Sequence, residues 1–322
     1  MLKNKSLKGV VLVGLGATSY GMLATFVKLA YQGGYSTAEV TASQFIFGFI
    51  GLLLINGYYR LKNNGSSVIA SADSIKKLML AGTSMGFTSV FYYLAVQYIN
   101  VSIAIVLLMQ TVWIGVVLEY FLDRVVPSRK KIIAVILVLI GTALATNLIQ
   151  GEFDLDWRGL AWGLLAAASF TTTMFTANRI ATHVSSAQRS LFMLMGGAII
   201  VFIFGFITQY GPNNFEWARE NFTFIDEKIL TVRDFNWSIM MKWGIIISLF
   251  GTIIPPLLLN SGFPLTGLGL GSIVSSMELP VSVMMAFFVL GEQVILTQWI
   301  GIALILSAII YMNLDFSKGK DA

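Results

Sequence analysis

The feature that most constrains this chain is the recurrence, along almost its whole length, of apolar stretches of about 20 residues separated by short polar punctuation. A helix rises ~1.5 Å per residue, so one such stretch covers the ~30 Å hydrocarbon core of a bilayer. They fall at 9–31, 37–59, 77–98, 101–121, 131–149, 157–180, 187–209, 239–260, 268–290 and 296–314. The spacing predicts ten transmembrane helices and an all-α integral membrane protein. Residues 77–121 amount to about two crossings, so the chain must turn near Asn100. The Lys-rich start runs into the first apolar stretch without a small-residue cleavage site, and reads as a retained helix rather than a signal peptide. A soluble surface needs roughly 25% charged residues. This chain has 11%, with 56% hydrophobic residues spread throughout, so no separate soluble domain can be cut from it.

The same composition removes most enzyme chemistry. With no Cys and one His, His183, there is no disulfide framework, no thiol nucleophile and no multi-ligand zinc site. No Gly-rich stretch ends in Gly-Lys-Ser or Gly-Lys-Thr, so the chain lacks a phosphate loop. The expectation is a non-enzyme without cofactor or metal. A net charge of +5 suits nucleic acid only if it forms a basic face, and here the basic residues sit between apolar segments. No nucleic-acid partner is expected.

Lys and Arg bias sets orientation. With the start of the chain inside, the cytoplasmic segments hold Lys3, Lys5, Lys8, Arg60, Lys62, Lys76, Lys77, Arg124, Arg129, Lys130, Lys131, Arg179, Arg189, Lys318 and Lys320. The other side holds Arg158, Arg219, Lys228, Arg233 and Lys242. This places both termini in the cytoplasm and residues 210–238 outside. That long segment reads as an ordinary loop with a short amphipathic helix; the alternative is a lid over an outward mouth.

An internal repeat divides the chain into 1–150 and 151–322. Val101 to Asn147 lies over Leu270 to Leu314 at an offset of 169, and Lys8-Gly9 lies over Arg158-Gly159 at an offset of 150. On the second register Ala17-Thr18-Ser19-Tyr20 falls on Ala167-Ala168-Ser169-Phe170. Five helices per copy force the second to enter from the opposite side, giving two inverted five-helix repeats, a layout typical of secondary transporters.

Glu278-Leu279-Pro280-Val281, followed by Phe288-Val289-Leu290-Gly291-Glu292, is similar to the second-repeat pattern of the EamA-type, ten-helix branch of the drug/metabolite transporter superfamily. The resemblance extends from about Gly9 to Leu314 and includes Lys28 near the end of the first helix. It departs at Gln44, where the family often has Arg, at Thr111 in place of Pro, and at Asp123, which lacks a preceding Gly. The resemblance implies a secondary transporter, and an exporter of amino acids or similar metabolites. The alternative class is a membrane receptor or an intramembrane enzyme.

Burying a charge in hydrocarbon costs a few kcal/mol, which singles out Glu278, placed near the middle of its span. It reads either as a carboxyl that exchanges a proton in a transport pathway or as a neutral, hydrogen-bonded structural group beside Pro280. Lys28 lies ~5 Å from the outer interface, where its stem can snorkel to water. Polar residues collect on particular helices: Tyr20 on the first, Tyr92 on the third, Gln110 and Trp113 on the fourth, Thr172 on the sixth, and Ser275 beside Glu278 on the ninth. These seven are the candidate lining of a substrate cavity. Trp157, Trp237 and Trp299 mark interfaces, whereas Trp113 falls near mid-span. Pro255, Pro256 and Pro280 interrupt backbone ladders, and with Glu278 form the candidate coupling and gating set. The implied partners are a small-molecule substrate and the lipid bilayer, with a proton as the coupling ion.

Single cysteines placed in this Cys-free chain test the orientation. A cysteine in 210–238 is expected to react with an impermeant maleimide from outside intact cells; labelling only after permeabilisation reverses the topology.

Overall fold

The computed structural model describes residues 2–62, 70–99, 101–145, 156–222, 225, 226, 229–291 and 293–314, and its secondary structure among them is helical. The spans are α1 (Leu2–Gln32), α2 (Thr37–Lys62), α3 (Ala72–Tyr98), α4 in two halves (Val101–Leu108 and Thr111–Asp123), α5 (Arg129–Ala145) and α6 (Trp157–Arg179). They continue with α7 (Ser186–Asn214), α8 (Met240–Thr266), α9 in two halves (Leu268–Ser275 and Glu278–Leu290) and α10 (Leu296–Leu314). Eight segments are long and apolar enough to cross a membrane, and the shorter α5 and α10 complete the ten. Expected and observed bounds differ mainly at ends: α1 starts at Leu2 rather than 9, and α8 runs to Thr266 rather than 260. Asn100 and Glu292 lie outside the described residues, as do the boundary residues 146–155 between the repeats.

Packing shows the two-fold relation directly. Helix α3 packs on α6 and α7, while α8 packs on α1 and α2. Likewise α4 packs on α6, and α9 on α1; α5 pairs with α10, and α4 with α9. Exchanging each helix with the one five later maps this set onto itself. Because five crossings end on the opposite side, the axis lies in the membrane plane. One face carries the start of α1 and the end of α10, here the terminal face; the other carries the loop between α7 and α8, here the long-loop face. That loop contains one short helix, Glu216–Asn221, among its described residues.

The helix breaks obey the same symmetry. Turns at Met109–Gln110 and Ser276–Met277 interrupt α4 and α9, 167 residues apart, and left-handed residues at Arg124 and Gly291 end the two helices at that same offset. The structural register is therefore two residues shorter than the one read from sequence. In α9 the break precedes Pro280, which sits in the first turn of the second half, where a backbone N–H has no intrahelical acceptor in any case. Pro255 and Pro256 likewise open the regular part of α8 after a π turn at Leu249–Ile253. These prolines stand at starts of helical segments.

Where a proline does interrupt a ladder, a side chain repairs it. Pro264, inside α8, cannot donate to the Asn260 carbonyl four residues back. Arg189, 2% exposed, donates there through Nη1 and also caps α6 by donating to the carbonyls of Ala177 and Ile180. Counted from sequence as a cytoplasmic loop cation, Arg189 is instead a buried backbone clamp.

Glycines set the helix spacing. Gly82 and Gly86, four residues apart on α3, lie against the carbonyls of Met193 and Gly197 on α7, and Gly196 lies against Met79 in return. A Cβ on Gly82 would stand 1.9 Å from the Met193 oxygen, a backbone atom that cannot rotate away. Gly82→Ala is expected to destabilise the bundle by about 1–3 kcal/mol or more. Gly57→Ala, with nothing within 4 Å of its Cβ, is the control. Thermal unfolding in detergent measures both, and equal midpoints would show that α3 and α7 are not held at this distance.

Candidate functional site

The two broken helices and the two-fold axis converge on an internal cavity. Helix α1 supplies Tyr20, Leu23 and Ala24, and α3 supplies Met85, Thr88, Ser89, Tyr92 and Tyr93. Gln44 comes from α2, Leu108 from the end of the first half of α4, Phe170 and Thr173 from α6, and Gly251 from α8. Glu278 opens the second half of α9 and completes the wall. About 60 Å³ is open to the centres of water-sized molecules, room for roughly five waters.

Each position has a local cause. Glu278 stands in a first helical turn, where the helix dipole favours a carboxylate. Gly21 lets α1 approach that point: a Cβ there would meet the Glu278 carbonyl at 2.4 Å. Gln44, 2% exposed, accepts from the Tyr93 hydroxyl at 2.9 Å, fixing the two against each other. Tyr20 and Phe170, equivalent residues at the offset of 150, meet edge to face with centroids 5.8 Å apart.

Beyond that pair toward the terminal face lies a smaller chamber of about 20 Å³, which shares Tyr20, Met85, Phe170 and Thr173 with the first. Met174, Met193, Pro256 and Phe263 line it, and it ends on Asn260. Asn260 donates through Nδ2 to Ser190 at 3.0 Å; its Oδ1 is buried and has no hydrogen-bond partner among the described residues. Toward the long-loop face Tyr31 packs edge-on to Tyr93, with centroids 6.5 Å apart. Above them Thr37 is bonded to Tyr31 at 3.3 Å and accepts from Gln97 at 2.9 Å.

A further carboxylate stands at this end. Glu39, fully buried, accepts from the Ser36 and Asn236 backbone amides at 2.8 Å each, from Arg233 at 2.8 Å and from Gln209 at 3.0 Å. Arg233 also donates to the Gly34 carbonyl at 2.9 Å. One side chain thus joins the start of α2, the end of α7 and the long loop. The Ser36-x-x-Glu39 spacing of a capping box was the sequence signal for it.

Of the seven candidate lining residues, the structure brings Tyr20, Tyr92 and Glu278 together and leaves four elsewhere. Gln110 repairs the break in α4: its own amide bonds Leu107, which leaves the Val106 carbonyl bare, and its side chain donates there at 2.9 Å. Trp113 is 41% exposed on the outer side of the bundle and donates to Gln110 at 2.8 Å. Thr172 is exposed and bonds the Ala168 carbonyl at 2.9 Å, while its neighbour Thr173, turned by ~100°, lines the cavity. Ser275 is buried and bonds Gly271 at 2.9 Å. Among the gating candidates, Pro256 lines the lower chamber, whereas Pro255 and Pro280 are buried in helix packing. Lys28, two turns beyond Tyr20, is not part of the lining. The sequence reading missed Phe170, Thr173, Met85 and Glu39. Phe170 was legible as the repeat equivalent of Tyr20.

Residues 7–147 and 157–314 each match the profile of the EamA-like transporter family. No curated protein matches the chain. A solved structure, described only as the crystal structure of a protein, superposes with a TM-score of 0.68 at 13% identity, covering 95% of this chain and 98% of that one. At that identity the likeness concerns the fold.

The Glu39 cluster predicts a local change. Arg233→Ala is expected to speed amide exchange at 233–238 several-fold while leaving α3 and α7 protected. Unchanged exchange there would mean that the loop is held by its apolar contacts instead.

Proposed function

Because the chain belongs to the EamA-like transporter family, we propose that this multi-pass membrane protein is a secondary transporter. It moves a small amphipathic metabolite, an amino acid or similar compound, out across the cytoplasmic membrane by alternating access, with both termini in the cytoplasm. Outward direction follows from the family resemblance, and orientation from the Lys and Arg bias. The observation that carries the reading is the cavity itself. It lies where the two repeats meet, between two helix breaks, and holds one carboxylate, as expected of a site alternately exposed by rocking one repeat on the other. Aromatic pairs stand at both ends, Tyr31 and Tyr93 on one side, Tyr20 and Phe170 on the other. Small rotations of α1 and α6 would part the second pair. With no phosphate loop in the sequence, the work must come from an ion or substrate gradient.

Glu278 is the group that would link transport to a proton. An ionised carboxylate is costly at this depth, and the titratable groups lining the same cavity are hydroxyls, Tyr20 from α1 with Tyr92 and Tyr93 from α3. Helices α2, α6 and α8 present the neutral Gln44, Phe170, Thr173 and Gly251. Substrate flux in proteoliposomes between about pH 5 and 8 tests this. Wild-type flux is expected to vary with pH. Glu278→Gln, which cannot titrate, is expected to give a flat profile in whatever flux remains; a profile identical to that of the wild type would remove Glu278 from coupling.

A further inference from the structure

We propose that the cavity is an organic-cation site, whose ligand is a protonated amine or quaternary ammonium ion held by the Glu278 carboxylate and the rings of Tyr20, Tyr92, Tyr93 and Phe170. This rests on the transporter reading above and, among the small amphipathic compounds named there, assigns the site to amines rather than to amino acids. The argument begins with charge. Among the described lining residues Glu278 is the one acidic side chain, and none is Lys, Arg or His. Lys28 lies ~12 Å further along α1, and the Arg189 guanidinium is committed to three carbonyls. An anion, or the carboxylate of an amino acid, would enter a low-dielectric chamber that already holds a carboxyl group and has no cation in its lining to offset the charge. A monocation would meet its counter-charge.

The rest of the lining selects the kind of cation. A small inorganic ion exchanges its water for six or more oxygen ligands. This wall is mainly carbon, with four aromatic rings drawn from three helices. Ring faces attract alkylammonium groups, which carry apolar surface with their charge. Tyr20 and Phe170 meet at right angles, and Tyr92 and Tyr93 lie at 56° with centroids 6.0 Å apart, so the rings present differently oriented surfaces. The lower chamber adds an acceptor without a donor, the buried Oδ1 of Asn260. An ammonium N–H passing toward the terminal face can satisfy it; a carboxylate cannot.

A matched series on the purified full-length protein tests the charge rule: phenethylamine, phenylalanine and 3-phenylpropionate share a skeleton and differ in charge, and tetramethylammonium isolates the cation. Phenethylamine and tetramethylammonium are expected to raise the unfolding temperature and bind at least tenfold tighter than the other two, roughly the factor one lost charge interaction commands. Since the proton and the cation compete for one carboxylate, affinity should fall as pH falls, by up to about tenfold per unit. Tyr92→Leu should weaken both cations about tenfold, with Tyr92→Phe close to wild type. Glu278→Gln should abolish the preference, and Glu278→Asp, which keeps the charge, should retain it. Equal binding of 3-phenylpropionate or phenylalanine, or no binding of either cation, would overturn the proposal. Flux in proteoliposomes separates the two readings: a cation that binds without crossing sinks transport and leaves the site, whereas transport of phenylalanine or 3-phenylpropionate with no amine binding does the reverse.

Discussion

A backbone carbonyl at membrane depth that loses its amide partner must find another donor, because hydrocarbon offers none. Much of this structure follows from where such carbonyls arise. Pro264 bares Asn260, and Arg189 is buried to reach it. The break in α4 bares Val106, and the Gln110 side chain turns back to it. Ser19 on α1 donates at 3.2 Å to Phe250 in the π turn of α8. Each repair commits a polar side chain to the backbone instead of to a ligand.

These repairs also explain why the two repeats are alike in backbone and unlike in chemistry. The breaks in α4 and α9 match at an offset of 167, although α4 has no proline near its break. Their crossing is tight, since a Cβ on Gly115 would lie 2.8 Å from Ser272, so neither helix can straighten without displacing the other. At this register Thr111 is the counterpart of Glu278. One half of the two-fold therefore begins with a hydroxyl and the other with a carboxylate, and a symmetric scaffold encloses a cavity with its charge on one side.

The two ends of the cavity are built differently. Aromatic contacts between α1 and α3 and the buried Glu39 cluster stand on the long-loop side. On the terminal side an edge-to-face pair and flexible methionines separate the cavity from a second chamber.

The sequence by itself determined the membrane class, the ten spans, the two repeats and the mid-span position of Glu278. Those depend on segment length, hydropathy and spacing, which are properties of a local stretch. It also placed Tyr20 and Tyr92 among the candidates, because aromatic and hydroxyl groups in a span are scarce enough to stand out. What only the tertiary structure decided was rotation. Thr172 and Thr173 differ by ~100° around one helix, and composition carries no record of which of them faces inward. That is set by how closely α3 approaches α7 through Gly82, Gly86 and Gly196, and α6 approaches α4 through Gly163. Trp113 and Gln110 looked like cavity residues for the same reason: depth was legible and azimuth was not, since a helix hides or presents a side chain according to its neighbours, and those neighbours are far away in the chain.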